Sequence, residues 1–281
     1  MILFPNAKIN LGLRVLRRRP DGYHDLMTVM MPLGWEDILE IVPSRSGQTV
    51  LSVTGPAAVD CPAEQNLVMK ALRAVETDLG RTLPPVEIYL DKRIPSGAGL
   101  GGGSADAAFA VLGLNEVLGL GLTHERMSRI AARVGADCPF FILNRPALCT
   151  GTGTTIAEDV HIDFSRYLLA VAKPRTASVS TARAYAGISP CGEAASPTEV
   201  LALDVSLWQE LLVNDFEASV FPEFPEIAAV KDAFRRAGAL YAAMSGSGAA
   251  VFGIFEDDKL AQYALDTLTD CDTCLARGRA W

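Results

Sequence analysis

The chain has 281 residues, of which 49% are hydrophobic and 21% are charged, a composition typical of folded globular proteins. The 25 Lys and Arg residues against 33 Asp and Glu residues give a formal net charge of −8, which disfavours binding to nucleic acid or to an anionic membrane. No apolar run approaches the roughly 18–20 residues of a membrane span, and the N-terminus lacks a signal-peptide pattern. We therefore expect a soluble, cytoplasmic protein with one large domain or two ordinary ones.

The first half of the chain carries clear periodic patterns. Apolar and polar residues alternate over Ala7–Val15, which predicts a half-buried strand with Lys8 and Asn10 on its non-core face. Pro20-Asp21-Gly22 has the residues of a turn. The further predicted elements are a strand at 37–42, a helix at 66–79, a strand at 86–91, a buried alanine-rich helix at 104–118, and a helix at 123–134 between Thr123 as N-cap and Gly135 as stop.

The second half mixes strands and helices around a long connection. The stretch 174–197 is rich in Pro, Ser, Ala and Gly, which predicts a long functional loop. Because strands and helices follow one another without regular βαβα alternation, an α+β fold is favoured over a doubly wound sheet. The predicted elements are a strand at 167–172, helices near 207–213 and 226–237, strands at 240–244 and 250–255, and a helix at 258–268.

The sharpest local feature is PSGAGLGGGSADAA, which occupies residues 95–108 between a predicted strand and a predicted helix. Glycines remove Cβ atoms, so that backbone N–H groups can close around an anion, and the N-terminus of the following helix adds to this attraction. The pattern indicates a polyphosphate cradle; the alternative is a tight packing turn.

The loop does not match three well-known phosphate-binding motifs. Gly97, Gly99 and Gly102 match G-x-G-x-x-G, but the preceding strand alternates, and no acidic residue ends a second strand about 20 residues later, as a dinucleotide site requires. No Lys-Ser/Thr pair follows the glycines, which excludes a Walker P-loop. The H-R-D and D-F-G motifs of protein kinases are missing from the sequence as well.

The pattern P-x-x-x-G-L-G followed by small residues resembles that of the GHMP kinases, small-molecule kinases named for galactose, homoserine, mevalonate and phosphomevalonate. Within them the chain resembles those that act on a cytidine-diphosphate-linked methylerythritol. The strings that carry the resemblance, in chain order, are AKINLGL (7–13), RPDGYHDL (19–26), QNLVMKA (65–71), KRIPSGAGLGGGSADAA (92–108), GADCPFF (135–141), NDFE (214–217) and MSGSGAAVF (244–252).

The resemblance implies a fold and a reaction. The N-terminal domain, placed at residues 1–155, would resemble one half of ribosomal protein S5, and the C-terminal domain, at 156–281, would be ferredoxin-like. The reaction would be ATP-dependent phosphorylation of the 2-hydroxyl of the methylerythritol compound in the non-mevalonate isoprenoid route. Mg²⁺ is expected with ATP because of the triphosphate charge, with no visible ligand cluster. Neither a nucleic-acid nor a membrane partner is expected.

Asp137 and Lys8 are the candidate catalytic residues. By spacing alone, Asp137 is an N-cap for a short helix that Pro139 begins, and Lys8 is a solvated surface lysine. The resemblance instead implies that Asp137 is the base that accepts the hydroxyl proton. It also implies that Lys8 pairs with this aspartate, because a nearby cation favours the carboxylate form.

The resemblance also assigns residues to the two substrates. For the acceptor it implies that Tyr23 stacks on the cytosine, that His24 bonds its edge, and that Asn10, Thr181 and a second aromatic residue, Tyr185, contribute. The positions expected to bind ATP are Asn66, Lys92, Pro95, Ser96, Gly97, Ala98, Gly99, Leu100, Gly101, Gly102, Gly103, Ser104, Gly246 and Ser247. Ser104 is also an N-cap candidate, and the glycines around Ser247 also suit a hairpin turn.

The sequence differs from the family pattern at one turn, contains a lone C-x-x-C, and leaves two alternative functions open. CTGTGT at 149–154 stands where the family usually shows a Gly-Arg-Gly-Glu-like string, so a charged contact from that turn is in doubt. Cys271 and Cys274 form a lone C-x-x-C, which predicts free thiols. The alternatives are a GHMP kinase with a different alcohol acceptor and a non-catalytic nucleotide-binding protein.

Overall fold

The structure is a computed structural model that describes residues 1–280, without the side chains of residues 158 and 159. The strands are β1 (Ile2–Leu3), β2 (Asn6–Arg18), β3 (His24–Glu36), β4 (Ile38–Pro43), β5 (Val50–Thr54), β6 (Val86–Asp91), β7 (Ala147–Gly151), β8 (Thr155–Asp159), β9 (Leu168–Pro174), β10 (Tyr241–Met244), β11 (Val251–Phe255) and β12 (Cys271–Arg277). The helices are α1 (Leu67–Leu79), α2 (Gly102–Val117), α3 (His124–Ala132), α4 (Cys138–Leu143), α5 (Thr181–Ala186), α6 (Pro197–Leu201), α7 (Trp208–Leu211), α8 (Glu217–Val220), α9 (Pro225–Arg236) and α10 (Asp258–Asp266). This mixture of helices and mainly antiparallel strands confirms the α+β class.

The chain divides into two compact units, each built from several separate segments. Unit 1 consists of Met1–Ala7, Trp35–Ser96 and Gly101–Asn144, and unit 2 of Lys8–Gly34, Gly97–Leu100 and the described chain from Arg145 onward. The sequence-based division at residues 155 and 156 stays a proposal about the order of the two family domains along the chain.

Unit 1 is a sheet covered by helices. Its strand order is β1-β4-β6-β5, with β5 parallel to β6 and the other pairs antiparallel. α2 packs against β4, α1 and α4, and nine of its sixteen residues are buried, as the alanine-rich sequence predicts. α1 is amphipathic, and its N-cap is Asn66, whose side chain accepts a hydrogen bond from the Val68 amide at 2.9 Å.

Unit 2 holds the long strands β2 and β3 and a split βαβ sheet. β2, β3, β7 and β8 form one sheet in that order. β9, α9, β10, β11, α10 and β12 follow in sequence, and their strands are ordered β10-β11-β9-β12 with all pairs antiparallel. This arrangement confirms the predicted ferredoxin-like topology. α9 and α10 cover the sheet through buried residues such as Ile227, Phe234 and Ala261.

The strand prediction at Ala7–Val15 is right in type and wrong in burial. β2 covers these residues, but every residue from Asn6 to Leu13 is buried, and Lys8 and Asn10 are only 4% and 2% exposed. The reason is that further chain segments cover the polar face of the strand, which alternation alone does not report. Lys8 is therefore not a solvated surface lysine.

Six strands were not predicted: β1, β3, β5, β7, β8 and β12. β3 has a nearly continuous buried run from Thr28 to Leu33 and contains Pro32, so it lacks the two-residue period by which half-buried strands are recognised. β12 contains Cys271 and Cys274, which were interpreted only as a C-x-x-C pattern, so the strand was not predicted. Cys271, like Cys61, Cys138 and Cys191, is a free thiol.

Two smaller predictions are corrected. α2 begins at Gly102 with Gly101 as its N-cap, so Ser104 lies inside the first turn and is not the cap. The predicted loop 174–197 is not without regular structure, because it contains α5, whose N-cap Ser180 accepts a hydrogen bond from the Arg183 amide. Thr181 and Tyr185 consequently lie on a helix. In the described part of the chain, no helix is both long and apolar enough to cross a bilayer.

Candidate functional site

The glycine-rich loop has the backbone shape that only glycine adopts easily. Gly97, Gly99 and Gly101 have φ angles of +62°, +72° and +71°. At Gly99, a Cβ atom would lie 2.0 Å from the Ser245 carbonyl oxygen, and the Ser245 hydroxyl donates a 2.9 Å hydrogen bond to the Gly99 carbonyl. Gly99 is therefore required for both its positive φ and its close backbone approach.

The loop leads into the N-terminus of α2. The N-cap, Gly101, has no side chain to cap the helix, so the first-turn N–H groups keep their positive partial charge for an anion. Ser96 and Gly97 are exposed, whereas Pro95, Ala98 and Leu100 are buried. The loop thus combines exposed backbone with anchored apolar side chains.

Unit 1 contains a cavity of about 170 Å³ beside this helix. Four of the residues predicted to bind ATP line it: Asn66, Lys92, Ser96 and Gly103. The remainder of the lining is largely apolar and comprises Val53, Ala57, Val59, Cys61, Gln65, Leu67, Leu90 and Asp106. An apolar cleft with a few polar groups is typical of a small-molecule site.

Lys92 belongs to a buried charge cluster that was not predicted. Its ammonium group donates to Asp37 and, at 2.7 Å, to Asp106 Oδ2. Asp37 Oδ1 accepts from the backbone amides of Arg93 at 2.5 Å and Ile94 at 2.9 Å. All three charged side chains are buried. Lys92 thus binds two carboxylates, of which Asp106 lines the cavity. An isolated acid in an otherwise apolar helix, as at Asp106, is the signal that would have indicated such a cluster.

The electrostatics of the cluster follow from its charge count. One ammonium between two carboxylates leaves a net negative charge in a buried place. Burial, together with the nearby Asp37 carboxylate, raises the pKa of Asp106 to about 7, although Lys92 opposes the shift. Burial lowers the pKa of Lys92, but the Asp106 and Asp37 carboxylates outweigh it, so this pKa is raised. The lysine stays protonated while Asp106 titrates near neutrality.

In unit 2, Lys8 and Asn10 lie beside the glycine loop. The Lys8 amide donates to the Leu100 carbonyl at 2.9 Å, and the Lys8 ammonium donates to Asn10 Oδ1 at 2.5 Å. A Cβ atom on Gly246 would lie 3.4 Å from Lys8 Nζ and 3.2 Å from the Gly99 carbonyl oxygen. The structure therefore brings Lys8, Gly99 and Gly246 within a few ångströms of one another.

The turn at Ser245–Gly248 connects β10 to β11, so the hairpin interpretation of these glycines is correct. Ser247 is half-buried in this turn. Asn214 fastens the turn by donating from Nδ2 to the carbonyls of Met244 at 2.7 Å and Gly246 at 2.9 Å. The string NDFE at 214–217 contained this residue, but its spacing did not reveal what it contacts.

Asp137 is half-buried and immediately precedes α4. It occupies the N-cap position, yet its side chain makes no capping hydrogen bond. The carboxylate is therefore not used as a helix cap, which was the alternative interpretation of this residue.

The residues predicted for the acceptor are partly brought together. His24 stacks on Tyr185 with ring centroids 4.7 Å apart and an interplanar angle of 21°, and Tyr185 meets Phe216 edge-on at 4.8 Å. Tyr23 is 67% exposed beside the turn at Gly22, and Thr181 is exposed at the start of α5. His24, rather than Tyr23, is the residue that pairs with Tyr185.

Among the described side chains of residues 1–280, no group of three or more His, Cys, Asp or Glu residues is arranged to hold a metal ion.

The chain is similar to a known protein family and to named relatives. Residues 66–145 match the GHMP kinases N terminal domain, and residues 198–271 match the GHMP kinases C terminal domain. The chain is 51% identical over 256 residues to a 4-diphosphocytidyl-2-C-methyl-D-erythritol kinase of Parabacteroides distasonis, with 91% of this chain and 92% of that protein covered. It is 44% identical to the protein of the same name from Porphyromonas gingivalis, covering 96% and 97%.

Among solved structures, the chain matches that of a 4-(cytidine 5'-diphospho)-2C-methyl-D-erythritol kinase with a TM-score of 0.84 and 31% identity. The match covers the whole of both chains. The family matches, the full-length relatives and this fold agree with one another. The chain therefore belongs to the GHMP kinase family, in the branch of the 4-diphosphocytidyl-2-C-methyl-D-erythritol kinases.

Proposed function

We propose that the chain transfers the γ-phosphoryl group of ATP to the 2-hydroxyl of 4-diphosphocytidyl-2-C-methyl-D-erythritol, a step in isoprenoid precursor synthesis. The relatives' name states this kinase activity, and the family makes the chain a phosphotransferase with an alcohol acceptor. We place the reaction in the cytoplasm, where ATP and a soluble nucleotide-linked alcohol are both available.

For ATP, we propose that the adenosine part occupies the cavity lined by Asn66 and Lys92, and that the phosphates bind to the glycine loop. The exposed backbone of Ser96 and Gly97 and the uncapped N-terminus of α2 supply N–H groups for the phosphate oxygens. Mg²⁺ would then arrive with the triphosphate as MgATP, since the described residues offer no cluster of their own.

For catalysis, we propose that Asp137 accepts the proton of the attacking hydroxyl and that Lys8 stabilises the negative charge that develops during transfer. Phosphoryl transfer depends mainly on positioning and on charge stabilisation, and a buried ammonium group serves the second need. The observation that carries this proposal is the burial of Lys8 against the glycine loop: a lysine is almost never buried unless its charge is paired, and here the ammonium group lies beside the backbone that would hold the phosphates.

For the acceptor, we propose that the cytosine ring binds at the aromatic group formed by Tyr23, His24 and Tyr185. A stacking contact with a base contributes about 1–3 kcal/mol. Tyr23 is exposed and able to cover a ring, whereas the stacked pair of His24 and Tyr185 provides a rigid wall. Thr181 and Asn10 would contact the methylerythritol part.

The test is a coupled assay of ADP release with ATP and the cytidylylated methylerythritol, compared with homoserine and mevalonate as acceptors. We expect turnover with the first acceptor alone. Asp137→Asn and Lys8→Met should each lower kcat by at least about a hundredfold, because a positioned general base contributes about 10²–10⁴-fold. Their dissociation constants for both substrates should change little.

Asp257→Asn is the matched control for Asp137. Asp257 is the N-cap of α10 and does cap it, accepting from the amides of Lys259 at 2.8 Å and Leu260 at 3.0 Å. Asparagine also caps helices, so this variant should keep its kcat. An Asp137→Asn enzyme that retained more than about a tenth of its kcat would remove the aspartate from catalysis. Turnover with homoserine or mevalonate would support a GHMP kinase of different acceptor, and absence of any turnover a non-catalytic nucleotide-binding protein.

A further inference from the structure

A directed chain of hydrogen bonds runs from Lys8 to the Gly12 carbonyl, and it passes through Thr28, a residue with no assigned role. The Lys8 ammonium donates to Asn10 Oδ1 at 2.5 Å, and Asn10 Nδ2 donates to the Thr28 hydroxyl oxygen at 3.1 Å. The Thr28 hydroxyl in turn donates to the Gly12 carbonyl at 2.5 Å. Thr28 is on β3, next to β2 in the sheet, and is 1% exposed.

The direction of this chain is determined at its far end. A backbone carbonyl only accepts hydrogen bonds, so the Thr28 hydroxyl must donate its one proton to Gly12. The hydroxyl then has only lone pairs left for Asn10. The Asn10 amide must therefore turn its NH₂ group towards Thr28 and its oxygen towards Lys8. The opposite amide orientation would place the NH₂ group against the Lys8 ammonium group and the amide oxygen against the lone pairs of the Gly12-bound hydroxyl.

The Gly12 carbonyl is itself held in place. Gly12 has a φ of +66° within β2, and a Cβ atom there would lie 2.7 Å from Leu212 Cδ1. No other residue fits this position without strain. Since Asn10 and Thr28 are both almost fully buried, water does not compete for their hydrogen bonds.

We propose that Thr28 is a positioning residue for phosphoryl transfer: its hydroxyl, bound to the Gly12 carbonyl, sets the orientation of the Asn10 amide and thereby the position of the Lys8 ammonium. The proposal rests on the proposed function, in which Lys8 stabilises the transferring group. Thr28 acts only through Asn10 and Lys8.

The test compares the original enzyme with three Thr28 variants by steady-state kinetics and by direct titration of ATP. Thr28→Val keeps the shape and removes the hydroxyl, so kcat should fall about tenfold or more while the ATP dissociation constant changes less than about threefold. Thr28→Ser should stay within about threefold of the original kcat because serine retains the hydroxyl. Thr28→Ala gives a second comparison with serine that differs by the hydroxyl alone, in case valine disturbs folding.

A double-mutant cycle with Asn10→Ala tests the route of the effect. Once the Asn10 amide is absent, Thr28→Val should have almost no further effect on kcat. Thr273→Val in β12 is the control, because it makes the same chemical change at an exposed position of a strand. This variant should leave kcat unchanged.

Three results would overturn the proposal: a Thr28→Val kcat within threefold of the original, equal losses for serine and alanine, or an undiminished effect of Thr28→Val in the Asn10→Ala background. Failure of the proposed function is separately visible. If Lys8→Met retained its kcat, Lys8 would not be catalytic, whatever the Thr28 variants showed.

Discussion

At the scale of single residues, burial decides what a charged group does. From the sequence, Lys92 was predicted to contact the nucleotide and Asp106 to lie on a helix. In the fold the two residues form one buried cluster with Asp37. Asp106 Oδ1 is buried without a hydrogen-bond partner among the described atoms, which fits a carboxyl group that holds a proton near neutral pH. The cluster therefore links protein stability to pH.

Asp106→Asn should change the pH dependence of stability. The pKa of Asp106 is raised to about 7 from 3.8, so the native state retains a proton that the unfolded chain releases between these values. This contribution to stability is complete below pH 3.8 and is lost as the pH rises through about 7. From pH 5 to pH 8, the free energy of unfolding of the variant should therefore rise relative to that of the original protein by about 1–3 kcal/mol.

Urea unfolding at the two pH values measures this difference. Asp232→Asn, an exposed position on α9, is the control and should show no such relative change. A constant difference between Asp106→Asn and the original protein across this range would mean that Asp106 is ionised throughout.

At the scale of elements, the glycine loop is shaped by its neighbours as well as by its own torsion angles. Gly97 and Gly99 both have positive φ. Only Gly99 lies against backbone, with a hypothetical Cβ atom 2.0 Å from the Ser245 carbonyl oxygen; at Gly97 the nearest atom, Ser178 Oγ, is 3.5 Å away. Both positions therefore have the strain of a positive φ, but only Gly99 also contacts the Ser245 backbone.

Gly97→Ala and Gly99→Ala make use of this difference. Alanine at positive φ costs about 1 kcal/mol, so the free energy of unfolding of both variants should fall by this amount. Gly99→Ala must also displace the Ser245 backbone, so its free energy of unfolding should fall by at least about 2 kcal/mol more. Chemical denaturation measures both values. Equal losses in the two variants would show that the contact with Ser245 is not required by the fold.

At the scale of the whole molecule, the order of segments along the chain matters for folding. The buried core of unit 2 includes Leu13, Val15 and Leu26 from β2 and β3, together with β9–β12 and their helices. A fragment that begins at residue 156 has all the ferredoxin-like strands, yet it lacks these three core residues.

The fragment 156–281 should therefore be much less stable than the full chain. Each missing large aliphatic side chain removes about 2–5 kcal/mol of packing, which is comparable with the 5–15 kcal/mol that stabilises an ordinary domain. Urea unfolding followed by circular dichroism should show a broad transition at low urea. A sharp transition at the midpoint of the full chain would indicate that the division after residue 155 marks an independently folding domain.

Several elements could be predicted because their information is local. α1 has its N-cap Asn66 and an amphipathic pattern, α2 its glycines and alanines, and β6 its alternation. β3 could not be recognised, since a strand buried on both faces has no alternating pattern to show. Among the candidate site residues, the types and positions came from local strings, whereas the pairing of His24 with Tyr185 joins residues 161 positions apart.

The sequence by itself determined the family, the α+β class and the position of the glycine-rich loop, because short motifs and periodic patterns are formed by neighbouring residues. Only the tertiary structure decided that Lys8 is buried, that Lys92 is held between Asp37 and Asp106, and that Thr28 orients Asn10. These properties depend on contacts between distant segments, and it is the exclusion of water at those contacts that sets both the charge state and the direction of each hydrogen bond.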